Sequence, residues 1–352
     1  MSSSVDKSSS PQSLLTGQNV VYAGIGWAVL ALLFYLLFSI SVPGEERPLW
    51  YSLGTYILEE IPFIAASVLC FRNWRSPQIA SGRNVWLGIG LGMLSFFIGN
   101  LLFGWWELYW GLDPAVSPGD LFFVAFYLFL GWGMFLAVLP RRLNLEAWQW
   151  GTVMAIALPG LALAGWLYLS SPADATELSS VSLKPAIAQI APGQSSKTLI
   201  AQKAPAVKPT SKPSAGTPKK TAGNNAQATS TPDKQPPPEW VLSLEKALDP
   251  LAKLLGLFYI ICDVVLLIIA TLLLLAFWGG RFAQSWRMIA AATFSFYIAD
   301  MWFNYATDHL PDYQSGFLPE VFWTFSGVLF AIGAALEYDN SIRSRRGGRK
   351  RA

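Results

Sequence analysis

The chain has 352 residues, 53% of them apolar and only 13% charged, with sixteen Trp and a formal net charge of +3. Soluble domains carry about 25% charged residues, so a water-soluble globule of this length is excluded for want of polar surface. The single histidine, His309, excludes a His-rich metal centre, and two cysteines, Cys70 and Cys262, both inside apolar runs, exclude a disulfide framework; no metal or cofactor is expected.

Residues 1–18 read as a polar, Ser-rich tail without the basic n-region or cleavage site of a secretory signal, so the first apolar run is expected to stay in the chain as a helix. A membrane span needs about 20 mostly apolar residues to cross a hydrocarbon core of roughly 30 Å. Eight runs qualify: 19–41, 50–71, 85–109, 120–139 and 148–170 within residues 19–170, then 251–278, 285–306 and 318–337 within residues 251–337. The predicted fold class is therefore an all-α integral membrane protein of about eight transmembrane helices. Between the fifth and sixth runs, residues 171–238 lack Phe, Trp and Tyr and are rich in Pro, Ala, Lys, Ser and Thr. Such a segment buries too little apolar surface to offset its ordering entropy and is predicted to be a disordered loop. Residues 239–250 are amphipathic, with Val241, Leu244 and Leu248 on one helical face, and predict a short interfacial helix. Residues 338–352 form a basic tail suited to anionic lipid.

Twelve of the thirteen arginines fall in alternate short connections or in that tail, and only Arg47 lies on the other side. The positive-inside rule then predicts both termini cytoplasmic and the long loop non-cytoplasmic; its eight lysines are no obstacle, because loops beyond about 60 residues largely escape the rule. The expected home is a bacterial inner membrane, or a thylakoid in a phototroph. Membrane lipids and a protein within the membrane are the expected partners, and nucleic acid is not.

An internal repeat is expected as well. The segment from Phe97 aligns without gaps on the segment from Tyr297, so that Asn100 falls on Asp300, Asp120 on Glu320 and Phe123 on Trp323. Asp263 in the sixth run answers Glu59 and Glu60 in the second. Two repeats of four helices follow, and duplicated bundles of this kind place ligand sites at the repeat interface.

Ionisable groups within a bilayer cost a few kcal/mol each and mark functional sites by default. Glu59 and Glu60 lie about ten residues into the second run, roughly 15 Å deep. Pro62 lacks an N–H and frees the carbonyl of Leu58 beside them, a combination able to hold a cation or proton. Asp263 and Asp300 are the other deep acids. Tyr259 sits one turn before Asp263, while Thr293, Tyr297, Asp300 and Asn304 share one helical face. Glu59, Glu60, Asp263, Asp300, Tyr259, Tyr297 and Asn304 are accordingly the ligand- or proton-binding candidates. Asn100, Asp120 and Glu320 come second, because Ser117-Pro118-Gly119-Asp120 reads as a capping box and Pro319-Glu320 as a helix start. The structural alternative for all of them is neutral carboxyls hydrogen-bonded between helices. Gly88, Gly92, Ser95 and Gly99 form a small-residue stripe for close helix packing. Trp105, Trp106, Trp110, Trp278, Trp302 and Trp323 lie near span ends and are expected in interfacial belts. No Ser nucleophile with a base, no HExxH and no phosphate loop is present, so the chain is not expected to be an enzyme.

The pattern of Asn100, Ser117-Pro118-Gly119-Asp120, Tyr127, Tyr259 with Asp263, Asp300, and Glu320 with Trp323 resembles the multi-pass membrane sensor modules that precede GGDEF/EAL or kinase signalling domains in bacteria. The resemblance covers roughly residues 50–170 and 250–337. It departs in two places: only a basic tail follows the eighth run, where an output domain is expected, and the loop after the fifth is longer. What it implies is a non-enzymatic sensor-like or partner-binding module acting through a separate protein. An assembly or scaffold subunit of a photosynthetic or respiratory membrane complex is the second reading, and an ion- or proton-coupled transporter using the deep acids is the third.

Overall fold

The apolar runs become helices because a backbone removed from water satisfies its own N–H and C=O groups most simply within one segment. The computed structural model describes residues 16–40, 47–112, 116–139, 146–170, 237–277, 279, 282–310 and 313–349, the side chains of 344–349 excepted. Helices are α1 (Gly17–Phe38), α2 (Leu49–Arg75), α3 (Arg83–Trp110), α4 (Asp120–Val138), α5 (Ala147–Ser170), α6 (Glu239–Leu248), α7 (Ala252–Ala276), α8 (Ala283–His309) and α9 (Val321–Arg349), with single 3-10 turns at Asp249–Leu251 and Leu318–Glu320. No strand occurs among the described residues. Most of the tail 1–18 and nearly all of the expected disordered loop 171–238 lie outside them.

Among the described residues, seven helices are long and apolar enough to cross a membrane: α1 to α5, α6 continued into α7, and the stretch Leu318–Arg343. Helix α8 has the length, at 27 residues, but is not among the seven. It carries Ser285, Ser295, Tyr297 and Asp300 bonded to neighbouring helices, together with Thr293 and Asn304, and those polar residues lower its hydropathy. Residues 239–248, where a short interfacial helix is expected, form the helix α6, with Val241 fully buried. Helix α9 continues through the first part of the expected tail to Arg349.

Helices α2, α3, α4, α7, α8 and α9 pack in a ring in that order, with α9 returning to α2; α1 lies outside against α9 and α5 outside against α7. Outward side chains such as Leu33, Leu36, Leu158 and Leu161 are about half exposed and apolar, a surface suited to acyl chains and not to water.

Close approaches set the ring's geometry. A Cβ on Gly133 of α4 would lie 2.7 Å from the backbone nitrogen of Ile89 on α3, and one on Gly88 would lie 2.7 Å from Cα of Gly133. The expected small-residue stripe is thus a backbone contact between α3 and α4. Helices α8 and α9 meet in the same register: Gly333 packs on Ile289, and the Ser285 hydroxyl donates to the Gly333 carbonyl at 2.8 Å. At the centre Trp86 meets Trp286 at 5.9 Å and Phe96 meets Phe296 at 5.4 Å between ring centroids.

Candidate functional site

One half of the ring is filled by Trp86, Trp286, Met134 and their neighbours. The other half holds a cavity of about 720 Å³, bounded by the first turns of α2, α4 and α7, the last turns of α3 and α8, and residues around Glu320. Glu59, Asn100, Asp120, Tyr259, Asp300, Asn304 and Glu320 all line it, so most sequence candidates converge on one space. Asp263 sits behind the wall, and Glu60 and Tyr297 are directed elsewhere.

The acids differ in what holds them. Asp300 accepts Trp323 Nε1 on Oδ1 at 2.6 Å and faces the Tyr127 hydroxyl with Oδ2 at 2.5 Å. The same hydroxyl lies 2.7 Å from Asp263 Oδ1. A phenol carries one proton, so the two contacts are both hydrogen bonds only if a second proton is supplied by a carboxyl. Tyr127, Asp263 and Asp300 therefore form one proton-sharing unit joining α4, α7 and α8. Asp120 accepts the Tyr259 hydroxyl on Oδ1 at 2.6 Å and the Ser117 N–H on Oδ2 at 2.7 Å. The backward reach to Ser117 is the expected capping interaction. Tyr259 serves Asp120 and not Asp263, its sequence neighbour, because the turn of α7 aims it at the opening of α4.

Glu320 accepts from Gly316 N at 2.5 Å, Phe317 N at 2.9 Å and the Tyr313 hydroxyl at 2.5 Å. Burial and the adjacent Glu320 raise the Tyr313 hydroxyl well above the usual phenol range, so it remains a neutral donor. Asp120 and Glu320 thus both fold back on their own approach turns.

Glu59 is 6% exposed and accepts Asn100 Nδ2 on Oε1 at 3.2 Å. Its neighbour Glu60 is buried within reach of the same Asn100 amide, with neither carboxyl oxygen in a hydrogen bond of good geometry among the described residues. Pro62 sits inside a continuous α2. The Leu58 carbonyl that it frees accepts Trp27 Nε1 from α1 at 2.9 Å, so this carbonyl is not spare for a cation. The polar face of α8 divides in the same way. Thr293 bonds the Ile289 carbonyl, Asn304 the Asp300 carbonyl, and Tyr297 reaches the Gly160 carbonyl on α5 at 3.0 Å. Only Asp300 and Asn304 of that face look into the cavity.

Sequence reasoning passed over Tyr56 and Tyr35, and named Tyr127 and Trp323 without these roles. Tyr127 lies seven residues after Asp120, two turns along one face of α4, a spacing that could have flagged it. Tyr56 donates to Glu107 at 2.5 Å, linking the opening of α2 to the end of α3. Tyr35 of α1 reaches the cavity with no sequence signal at all. Trp323, expected in an interfacial belt, is an inward donor to Asp300, and Trp106 is 2% exposed, buried by α6 and not turned to lipid. No group of three or more His, Cys, Asp or Glu among the described residues is placed to hold a metal ion.

No family model matches the chain, and neither a curated protein nor a solved structure shows significant similarity to it.

Proposed function

We propose that the protein is a non-enzymatic, eight-span membrane module of two four-helix repeats that binds a small molecule in the cavity between its halves, in the manner of a sensor that reports to a protein partner. The observation that carries this reading is the cavity of about 720 Å³ lined from both halves, within the range of drug-sized ligand sites. The eighth span is α8, in which Ser285, Thr293, Ser295 and Tyr297 are buried and Asp300 and Asn304 line the cavity. Support for the duplication comes from contacts repeating at an interval of 200 residues: Gly133 on Ile89 and Gly333 on Ile289, with Trp86 against Trp286 and Phe96 against Phe296. In the topology that the arginines favour, the cavity opens on the non-cytoplasmic side and the packed half faces a cytoplasmic partner.

The test is ligand-dependent stabilisation of the full chain in lipid nanodiscs, screened against a chemically mixed small-molecule library. A ligand that favours the folded state raises the unfolding midpoint. The expected result is a compound whose effect disappears in Asn304→Trp, a substitution that fills the cavity without removing a contact between helices. A screen without any compound that is sensitive to Asn304→Trp rejects the reading.

The Tyr127–Asp263–Asp300 unit favours a second reading, a proton-coupled carrier. In that case Asp263→Asn abolishes proton-linked uptake in vesicles at normal protein levels, whereas a sensor moves no substrate in either form.

A further inference from the structure

Five acids line the cavity; Asp308 is exposed, and of the other four, three are saturated. Asp120, Asp300 and Glu320 each have both carboxyl oxygens in hydrogen bonds to protein donors. Glu59 is the exception. Asn100 bonds its Oε1, and Oε2 has no partner among the described residues while remaining accessible from the cavity.

Tyr35 supplies an independent observation. It is 1% exposed, its ring is held edge-on against Phe34 and Tyr51, and it lines the same cavity. Its hydroxyl has no hydrogen-bond partner among the described residues, and it lies within electrostatic reach of Glu59 and Glu320. The hydroxyl of a cavity-lining residue that bonds no protein group keeps its hydrogen-bonding capacity for a ligand. Asn100 adds a third acceptor, since its amide nitrogen is directed at Glu59 and Glu60 and no bond to its Oδ1 is made among the described residues.

Resting on the ligand-cavity reading above, we infer that Glu59 Oε2, the Tyr35 hydroxyl and Asn100 Oδ1 form a subsite for the ammonium group of a protonated primary amine with an apolar, aromatic-sized body. Three acceptors, one of them a carboxylate oxygen, match the three N–H donors of an alkylammonium. Phe96, Phe103, Phe123 and Phe126 line the space beyond and receive the body through ring contacts and cation–π attraction. A bound cation also offsets the cost of an ionised carboxylate away from water. The basic residue on the cavity wall, Lys253, is exposed, as is Asp308, and the buried part of the lining is acidic.

The experiment titrates 4-phenylbutylamine, 4-phenylbutanol and 4-phenylbutyrate, three probes of one shape and different charge, onto the full chain in nanodiscs, with empty nanodiscs as the partition baseline. The amine is expected to bind about tenfold or more tighter than the alcohol, with the carboxylate weaker still. Glu59→Gln, which keeps shape and removes charge, is expected to erase the preference of amine over alcohol. Tyr35→Phe, a milder change that removes one hydroxyl, is expected to weaken the amine several-fold while leaving the alcohol unchanged. Alcohol or carboxylate binding as tightly as the amine overturns the cation subsite and leaves the ligand cavity standing. Amine binding that is indifferent to both variants overturns the subsite too. No binding by any of the three overturns the subsite, and the library screen then decides separately whether the cavity binds anything.

Discussion

Trp86 and Trp286 stand 5.9 Å apart between ring centroids, both sealed from solvent, at the centre of the bundle. Their numbers differ by the same 200 that separates Asn100 from Asp300. Each is expected to be essential to the packed half: Trp86→Ala and Trp286→Ala should each cost about 3–5 kcal/mol by leaving a cavity. Because the two rings touch, the double variant should cost less than the sum of the singles. Chemical unfolding of the purified protein in mild detergent measures this, and strict additivity would show that the contact carries no energy.

Gly133 and Gly333 occupy matching places but meet different atoms. An added methyl at Gly133 runs into the backbone of α3, whereas at Gly333 its nearest neighbour is the end of the Ile289 side chain. Backbone cannot yield locally and a rotamer can. Gly133→Ala should therefore destabilise by roughly 1–3 kcal/mol and Gly333→Ala by clearly less. Comparing unfolding midpoints checks the order, and a larger loss at Gly333 contradicts the described contacts.

The bond from Trp27 Nε1 to the Leu58 carbonyl exists because Pro62 cannot supply the usual helical donor. Trp27→Phe should cost about 1–3 kcal/mol, the penalty for orphaning a buried carbonyl. In a Pro62→Ala background the restored N–H can take over, so the same Trp27→Phe change should cost much less. Equal costs in both backgrounds would mean that the indole contributes packing alone.

Removing the Tyr127 hydroxyl separates Asp263 from Asp300. Tyr127→Phe should destabilise by about 1–3 kcal/mol, since two buried carboxyl oxygens lose a partner. Asp263→Asn should be tolerated, because an amide can donate the second hydrogen that the shared arrangement requires. Thermal melts of both variants distinguish them, and an Asp263→Asn variant as damaged as Tyr127→Phe would exclude a shared-proton arrangement.

Orientation is open to a simple assay. A reporter inserted at Gly216 should read non-cytoplasmic, and one fused after Ala352 cytoplasmic. The opposite pair of signals would place the cavity on the cytoplasmic side.

Helix existence was legible in the sequence because crossing hydrocarbon demands length and apolarity together, and both are countable along the chain. The amphipathic helix at 239–250, the stripe from Gly88 to Gly99 and the capping role of Asp120 were legible for the same reason: each is a local periodicity or a turn preference. Depth along a helix could also be counted, and it placed Glu59, Asp263 and Asp300 at comparable levels. Azimuth could not be counted. Whether Tyr259 serves Asp263 or Asp120 depends on how α7 is rotated against α4, which is decided by side chains from both helices.

By itself, then, the sequence determined that this is a helical protein with helices long and apolar enough to cross a membrane and with acids inside several of them, since composition, spacing and periodicity are properties of the chain alone. Only the tertiary structure decided that Tyr127 joins two aspartates, that Trp27 takes the carbonyl Pro62 leaves, and that Glu59 keeps an oxygen unpaired toward the cavity where Asp120, Asp300 and Glu320 do not. Those outcomes depend on which helix faces become neighbours, and the close approach at Gly133 and the meeting of Trp86 with Trp286 set that from residues far apart in the chain.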